Sequence, residues 1–128
     1  RGLRRLRAAL ALCDPRAESP MESRIRVALH RYGLPPPVPQ HPLGPYRLDL
    51  AYPVVRLAIE YDGREHREPG RAVRDLRREA YVTRCGWDVL RLWASCVYDA
   101  RETAIRVHRE LVARGYANVA PALPTPRW

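Results

Sequence analysis

Arg47-Leu48-Asp49-Leu50-Ala51-Tyr52 and, after Pro53-Val54, Val55-Arg56-Leu57-Ala58-Ile59-Glu60-Tyr61-Asp62 both alternate with a period of two. Side chains of a strand point to opposite faces in turn, so each stretch reads as a half-buried strand. Leu48, Leu50 and Tyr52 share one face of the first; Val55, Leu57, Ile59 and Tyr61 share one face of the second. The opposite faces carry Asp49 and Ala51, and Ala58, Glu60 and Asp62. Pro53-Val54 is short enough to join the two as an antiparallel hairpin, although it is not a usual two-residue turn. With Tyr52 and Val55 flanking the turn, Asp49 lies opposite Ala58 and diagonal to Glu60, roughly 7–8 Å away and on the same face.

Outward from this hairpin the chain becomes mostly helical. Just upstream, Val38-Pro39-Gln40-His41 reads as a short strand kept at a sheet edge by its prolines. Before it, Ser19 as N-cap, Pro20 at the first helical position and Glu22 three residues after the serine form a capping box. Met21, Ile25, Ala28 and Tyr32 are the buried stripe of that helix, and Gly33 is its stop. Residues 2–13 predict an earlier helix, with Leu3, Leu6, Leu10 and Cys13 on one side and Arg4, Arg5 and Arg7 on the other. Downstream, residues 71–85 read as a helix burying Val73, Leu76 and Ala80, with Gly86 at its end. Trp87 to Trp93 reads as a strand, and residues 98–114 as a last helix with Ala104, Ile105, His108, Leu111 and Val112 on its stripe. Two helices, three strands, a helix, a strand and a helix make an α/β or α+β sandwich around a mixed sheet.

The chain's 128 residues suit one domain, expected over residues 19–114. Residues 1–18 are expected as a helical extension and the proline-rich residues 115–128 as a loose tail. The chain begins at Arg1 with its single methionine at Met21, which suggests a domain cut from something longer. No apolar run approaches the ~20 residues of a membrane span. Cys13, Cys85 and Cys96 are odd in number and lack C-x-x-C spacing, which argues against a disulfide framework or a cysteine zinc site and suits the cytoplasm. Net charge is +9 and the pI about 10.3, and all 23 basic residues are arginine. Arginine forks onto phosphate through two hydrogen bonds, so the balance points to nucleic acid. A genome rich in G and C would also favour arginine codons, and charge alone does not distinguish a protein that holds DNA from one that cuts it.

Asp49 and Glu60 repel each other unless a cation or a proton intervenes. Oxygen ligands of this kind suit Mg²⁺ or Mn²⁺, and the small Ala51 and Ala58 leave room beside them. The same face also reads as the wet side of a hairpin, where acids are ordinary. Glu22 has a sufficient reason in its capping box, yet it shares a helix face with Ile25 and Leu29 and could look toward the sheet. Arg71, Arg74 and Arg78 fall at i, i+3 and i+7, either a clamp for a phosphate backbone or a solvated face. Gln40 and Asn118 are the only side-chain amides, and Gln40, beside the proposed hairpin, is the candidate for touching nucleic acid. Trp87 and Trp93 read as core or interface residues rather than stacking platforms.

Together, Glu22 on a helix, Asp49 on a strand, Ala58-Ile59-Glu60-Tyr61-Asp62-Gly63, and His66 resemble the PD-(D/E)XK nucleases. The likeness is closest to small domains related to the very-short-patch-repair (Vsr) mismatch endonucleases. It continues through Asp75-Leu76-Arg77-Arg78 and Gly86-Trp87-Asp88-Val89-Leu90-Arg91, covering roughly Ser19 to Leu111. The resemblance implies a restriction-endonuclease-like fold with a helix–three strands–helix–strand core, and a Mg²⁺-dependent endonuclease acting on DNA. It implies Asp49, Glu60 and the main-chain carbonyl of Tyr61 as metal ligands, with Glu22 as the first-helix acid. Two departures stand out. The usual lysine of the motif is Asp62, so orienting the attacking water falls elsewhere, and the cysteine and histidine zinc site of the mismatch enzymes is missing. His66, three residues past Gly63, is then the candidate for handling protons, since it titrates near ~6.5. It also reads as an ordinary loop residue. A non-catalytic DNA-binding module and an RNA-cutting toxin remain the alternatives. A missing upstream domain or a second subunit could supply targeting.

Overall fold

The computed structural model describes Arg4 and residues 19–63 and 71–128. The helix expected over 2–13 therefore lies outside the described residues, except for Arg4, which is helical. Helix α1 (Pro20–Arg31) starts as its sequence dictates: the Ser19 hydroxyl accepts from the Glu22 N–H at 3.2 Å. It stops at Gly33, whose φ of 72° lets the Leu34 N–H fold back onto the Leu29 carbonyl at 2.9 Å. Then come β1 (Val38–Leu43), β2 (Tyr46–Tyr52), β3 (Leu57–Tyr61), α2 (Arg71–Arg84), β4 (Asp88–Leu92), the short α3 (Ala94–Val97) and α4 (Ala100–Ala113). The sheet order is β1-β2-β3-β4, antiparallel across the first three strands and parallel between β3 and β4. This is an α/β fold with a mixed four-stranded sheet. The proline-bearing β1 is an edge strand, as Pro39 and Pro42 require.

One face of the sheet is covered by α1 and α4. There Ile25 and Leu29 meet Leu50, Ile59, Leu92, Val107 and Leu111, all essentially fully buried. The other face holds a smaller cluster in which Val82 of α2 and Trp87 close over Ala51 and Ala58. Leu48 joins this second cluster although it alternates in phase with Leu50. Gln40, at the position across from Asp49, has a left-handed φ of 49°, and this twist falls between the Pro39–Leu50 and His41–Leu48 pairs. Among the described residues, no helix is long and apolar enough to cross a membrane.

Four expectations are corrected. The β2–β3 connection is not a two-residue turn: Pro53–Val55 forms one turn of 3₁₀ helix, and Arg56 reverses the chain at φ 51°. Proline lacks an N–H and holds φ near −65°, which suits a helical turn better than a tight hairpin. Val55 therefore falls outside the strand, and the pairs are Leu50–Ile59, Ala51–Ala58 and Tyr52–Leu57. Second, Val73, Leu76 and Ala80 of α2 are exposed, Leu76 by 65%. The helix packs instead through Val82, which joins Leu48, Ala51, Ala58 and Trp87, while further along the sheet Glu60 draws in Arg78. Third, α4 buries Thr103, Ala104, Val107, His108 and Leu111, whereas Val112 is exposed and Ile105 only partly covered. Asp99 caps this helix at Glu102, which separates it from α3.

The fourth correction is the tail. Residues 115–128 return along α4 and α1: the His108 ring nitrogen Nε2 lies 2.7 Å from the Ala120 carbonyl, and the Arg127 N–H donates to the Arg31 carbonyl at 2.7 Å. Tyr116, Val119 and Leu123 pack on the main core, and Trp128 stacks near His30. Proline removes donors from this segment, but its few apolar side chains find a surface to cover.

Candidate active site

Asp49 and Glu60 come from the two central strands. Continuing the observed register by one pair beyond Leu50–Ile59 sets Asp49 directly across from Glu60, closer than the diagonal expected from sequence. The two-residue shift keeps the alternation, so both acids still share the face of Ala51 and Ala58. Neither alanine has any exposed surface, and their small side chains leave the carboxylates room at the end of the cluster.

The electrostatics follow from that proximity. Burial, a hydrogen bond to the Glu60 carboxyl and the charge of Glu60 push Asp49 up to about 8, against smaller opposing effects from Arg78 and a main-chain hydrogen bond from Tyr61. Asp49 therefore keeps its proton at neutral pH. Arg78, reaching in from α2, places Nη2 2.5 Å from Glu60 Oε1 and 2.9 Å from the Arg47 carbonyl. Burial alone would lower its affinity for its proton, but the adjacent Glu60 carboxylate more than offsets this.

These groups open onto a polar cavity of about 280 Å³. Asp49, Glu60, Tyr61 and Asp62 form its floor, with Gly63 at the end of β3. Arg47, Asp75, Arg78 and Arg91 form its rim. Asp62 is steadied by its N–H, which donates to the Leu92 carbonyl at 2.9 Å. Arg47, Asp75 and Arg91 were not expected at the site from sequence, although Asp75 and Arg91 fall in the stretches that carry the family resemblance. Arg47 shares the parity of Asp49, Arg91 is the β4 partner of Glu60, and Asp75 lies one helical turn before Arg78, so each carried a signal.

The other expected site residues fall elsewhere. Glu22 does not line this cavity; it is 4% exposed and accepts from the Gln40 amide at 3.1 Å. Gln40 is itself buried, which corrects its assignment to nucleic acid: an amide spent on an interior carboxylate cannot reach a base edge. Arg74 is exposed while Arg78 turns into the cavity, so the two do not form one flat clamp. The side chain of Arg71, and His66 altogether, lie outside the described residues.

Among the described residues, no group of three or more His, Cys, Asp or Glu side chains is arranged to hold a metal ion. Two facing carboxylates still fit Mg²⁺, which keeps several waters and commonly takes only one or two carboxylates, with substrate phosphate completing its shell. The donor set is all oxygen and the cavity is polar, so the fit is to a hard cation.

A match to a restriction-endonuclease-like family, REase_MTES_1575, spans residues 21–114, from the first helix through the last. The chain belongs to that family. The uncharacterized protein MT2308 of Mycobacterium tuberculosis (strain CDC 1551 / Oshkosh) is 38% identical over 96 residues, covering 70% of this chain and 35% of that protein. The uncharacterized protein Rv2248 of strain H37Rv matches with the same figures. The uncharacterized protein YcjD of Escherichia coli K12 is 36% identical over 66 residues, covering 52% of this chain and 55% of that protein. The aligned region thus spans about a third of the M. tuberculosis relatives and about half of the E. coli one. No solved structure matches the chain. Membership in this family makes the domain nuclease-like.

Proposed function

We propose that this domain is a Mg²⁺- or Mn²⁺-dependent endonuclease that hydrolyses phosphodiester bonds of DNA, in the manner of the Vsr-like PD-(D/E)XK enzymes. The observation that carries the reading is the meeting of Asp49 and Glu60 on adjacent strands at the floor of an arginine-rimmed cavity. Asp49 and Glu60 would hold the cation, with the Tyr61 carbonyl as a further ligand. When bound, such an ion supplies Lewis acidity to the phosphate and lowers the pKa of a water. The chain's own work is to bind and orient. Arg47 and Arg91 at the rim suit the phosphate on either side of the scissile bond. His66 is the proposed proton carrier, and Glu22, tied to Gln40, the residue that supports the site from α1.

The test is incubation of supercoiled plasmid, and separately of RNA, with and without Mg²⁺ or Mn²⁺. Plasmid cleavage that requires the metal and is abolished in Asp49→Ala and Glu60→Ala supports the reading. Wild-type rates in both variants would end it, and cleavage of RNA alone would move the substrate to RNA. Asp62 in place of the motif lysine favours a second reading, a DNA-binding module that does not cut. Tight DNA binding with no cleavage under any metal would select it. The M. tuberculosis relatives extend well beyond the aligned region, and a further domain or a second subunit is the proposed source of targeting.

A further inference from the structure

The chain contains no lysine, and the place where the nuclease motif carries one holds Asp62. A cation nevertheless lines the cavity and reaches its carboxylates. Arg78 projects from the middle of α2 with only a quarter of its side chain exposed and closes on Glu60 Oε1 at 2.5 Å. Its second bond, to the Arg47 carbonyl at 2.9 Å, anchors it to β2, the strand that carries Asp49. The other two cavity arginines differ. Arg91 is held by Glu79 of α2, and Arg47 is an exposed rim residue. Arg74, one turn before Arg78, does not line the cavity at all.

We propose that Arg78 replaces the missing lysine: it holds Glu60 while no metal is bound, and turns onto the scissile phosphate when a divalent cation takes that carboxylate. This rests on the nuclease reading above. A guanidinium and a metal ion compete for the same oxygen, so the site has a cation in either state and Glu60 is never left as a bare buried charge. During hydrolysis a water oxygen bonds to phosphorus while the bond to the leaving oxygen breaks. The water gives up one proton and the leaving oxygen gains one, so the proton count closes without Arg78. Arg78 keeps its own proton throughout and meets the negative charge growing on the non-bridging oxygens. The exposed apolar side of α2 fits this arrangement, since the helix is rotated so that Arg78, rather than Leu76, faces the strands.

The experiment compares the full chain with Arg78→Ala, Arg78→Gln and Arg78→Lys, reading Mn²⁺ binding by calorimetry with the metal alone and plasmid cleavage at saturating Mn²⁺. Loss of the competing charge should tighten Mn²⁺ binding by about tenfold in the alanine and glutamine variants. Cleavage by the same two variants should fall by about 10²–10³-fold. Arg78→Gln keeps an N–H for Glu60 and serves where Arg78→Ala does not fold. Arg78→Lys should recover cleavage at least about tenfold over Arg78→Gln by restoring the charge. Unchanged or weaker Mn²⁺ binding in the neutral variants, wild-type cleavage in them, or an equal loss in all three would make Arg78 a structural clamp and overturn the proposal. A wild-type chain that neither binds Mn²⁺ nor cuts removes the nuclease reading and this inference with it. A wild-type chain that cuts, with variants that cut as fast, removes this inference alone.

Discussion

Asp49 loses its proton only near pH 8 when folded, because it is desolvated and faces Glu60 across a strand pair. In the unfolded chain it ionises near the ordinary aspartate value of about 3.9. Between those values the folded state holds more protons than the unfolded, so stability falls as pH rises through that window. Thermal melts in EDTA should show the wild-type midpoint dropping from pH 5 to pH 8, with a flatter profile and a higher midpoint at pH 8 for Asp49→Asn. A parallel decline in both proteins would mean that Asp49 is not the group responsible. Adding Mg²⁺ at pH 8 should raise the wild-type midpoint and leave that of Asp49→Asn unmoved, since only a folded state that binds the ion gains from it.

Helix α2 shows how an element's exposed and buried sides are chosen by what lies beneath it. Its most regular apolar spacing, Val73, Leu76 and Ala80, points to solvent, while Val82 is buried against Ala51, Ala58 and Trp87. Two substitutions separate the assignments in urea titrations. Val82→Ala should cost about 2 kcal/mol, from two lost methyl groups at ~0.8 kcal/mol each and the cavity they leave. Leu76→Glu should stay within about 0.5 kcal/mol of wild type, as exposed positions do. The reverse order would return the helix to the orientation its sequence pattern suggests. The Pro53–Val55 turn teaches the same lesson for strands, because the left-handed Arg56 adds two residues to the loop and moves every β2–β3 pair.

Over the whole molecule, the tail closes the α1–α4 layer and the arginines set the affinity for a polyanion. Deleting residues 116–128 removes Tyr116, Val119 and Leu123 from the core and the carbonyl partner of His108. A loss on the order of 2–3 kcal/mol in urea-derived stability is expected from that apolar area; a truncated chain as stable as the full one would mean that the tail is a passenger. DNA binding should be carried by phosphate contacts, since Gln40 is buried and Asn118 is the only other side-chain amide. The log–log slope of affinity against salt should then steepen by about 0.9 for each phosphate engaged. Fluorescence anisotropy from low to physiological salt measures it, and a slope near zero would contradict the electrostatic account.

Features that depend on neighbours along the chain were legible in the sequence. Ser19 and Glu22 mark the start of α1 because the cap spans three residues, and Gly33 marks its end because the stop needs a left-handed residue at that point. Asp49 and Glu60 could be assigned to one face from alternation alone, since parity survives a shift of two. Their direct opposition could not, because strand register is set by a turn whose conformation no periodicity encodes. The tertiary structure alone decided that Arg78 leaves the arginine stripe for Glu60, that Gln40 turns inward to Glu22, and that a proline-rich tail docks. Each of these depends on a partner distant in sequence, and a buried charge or amide goes where its partner is, whatever face the helical or strand period assigns it.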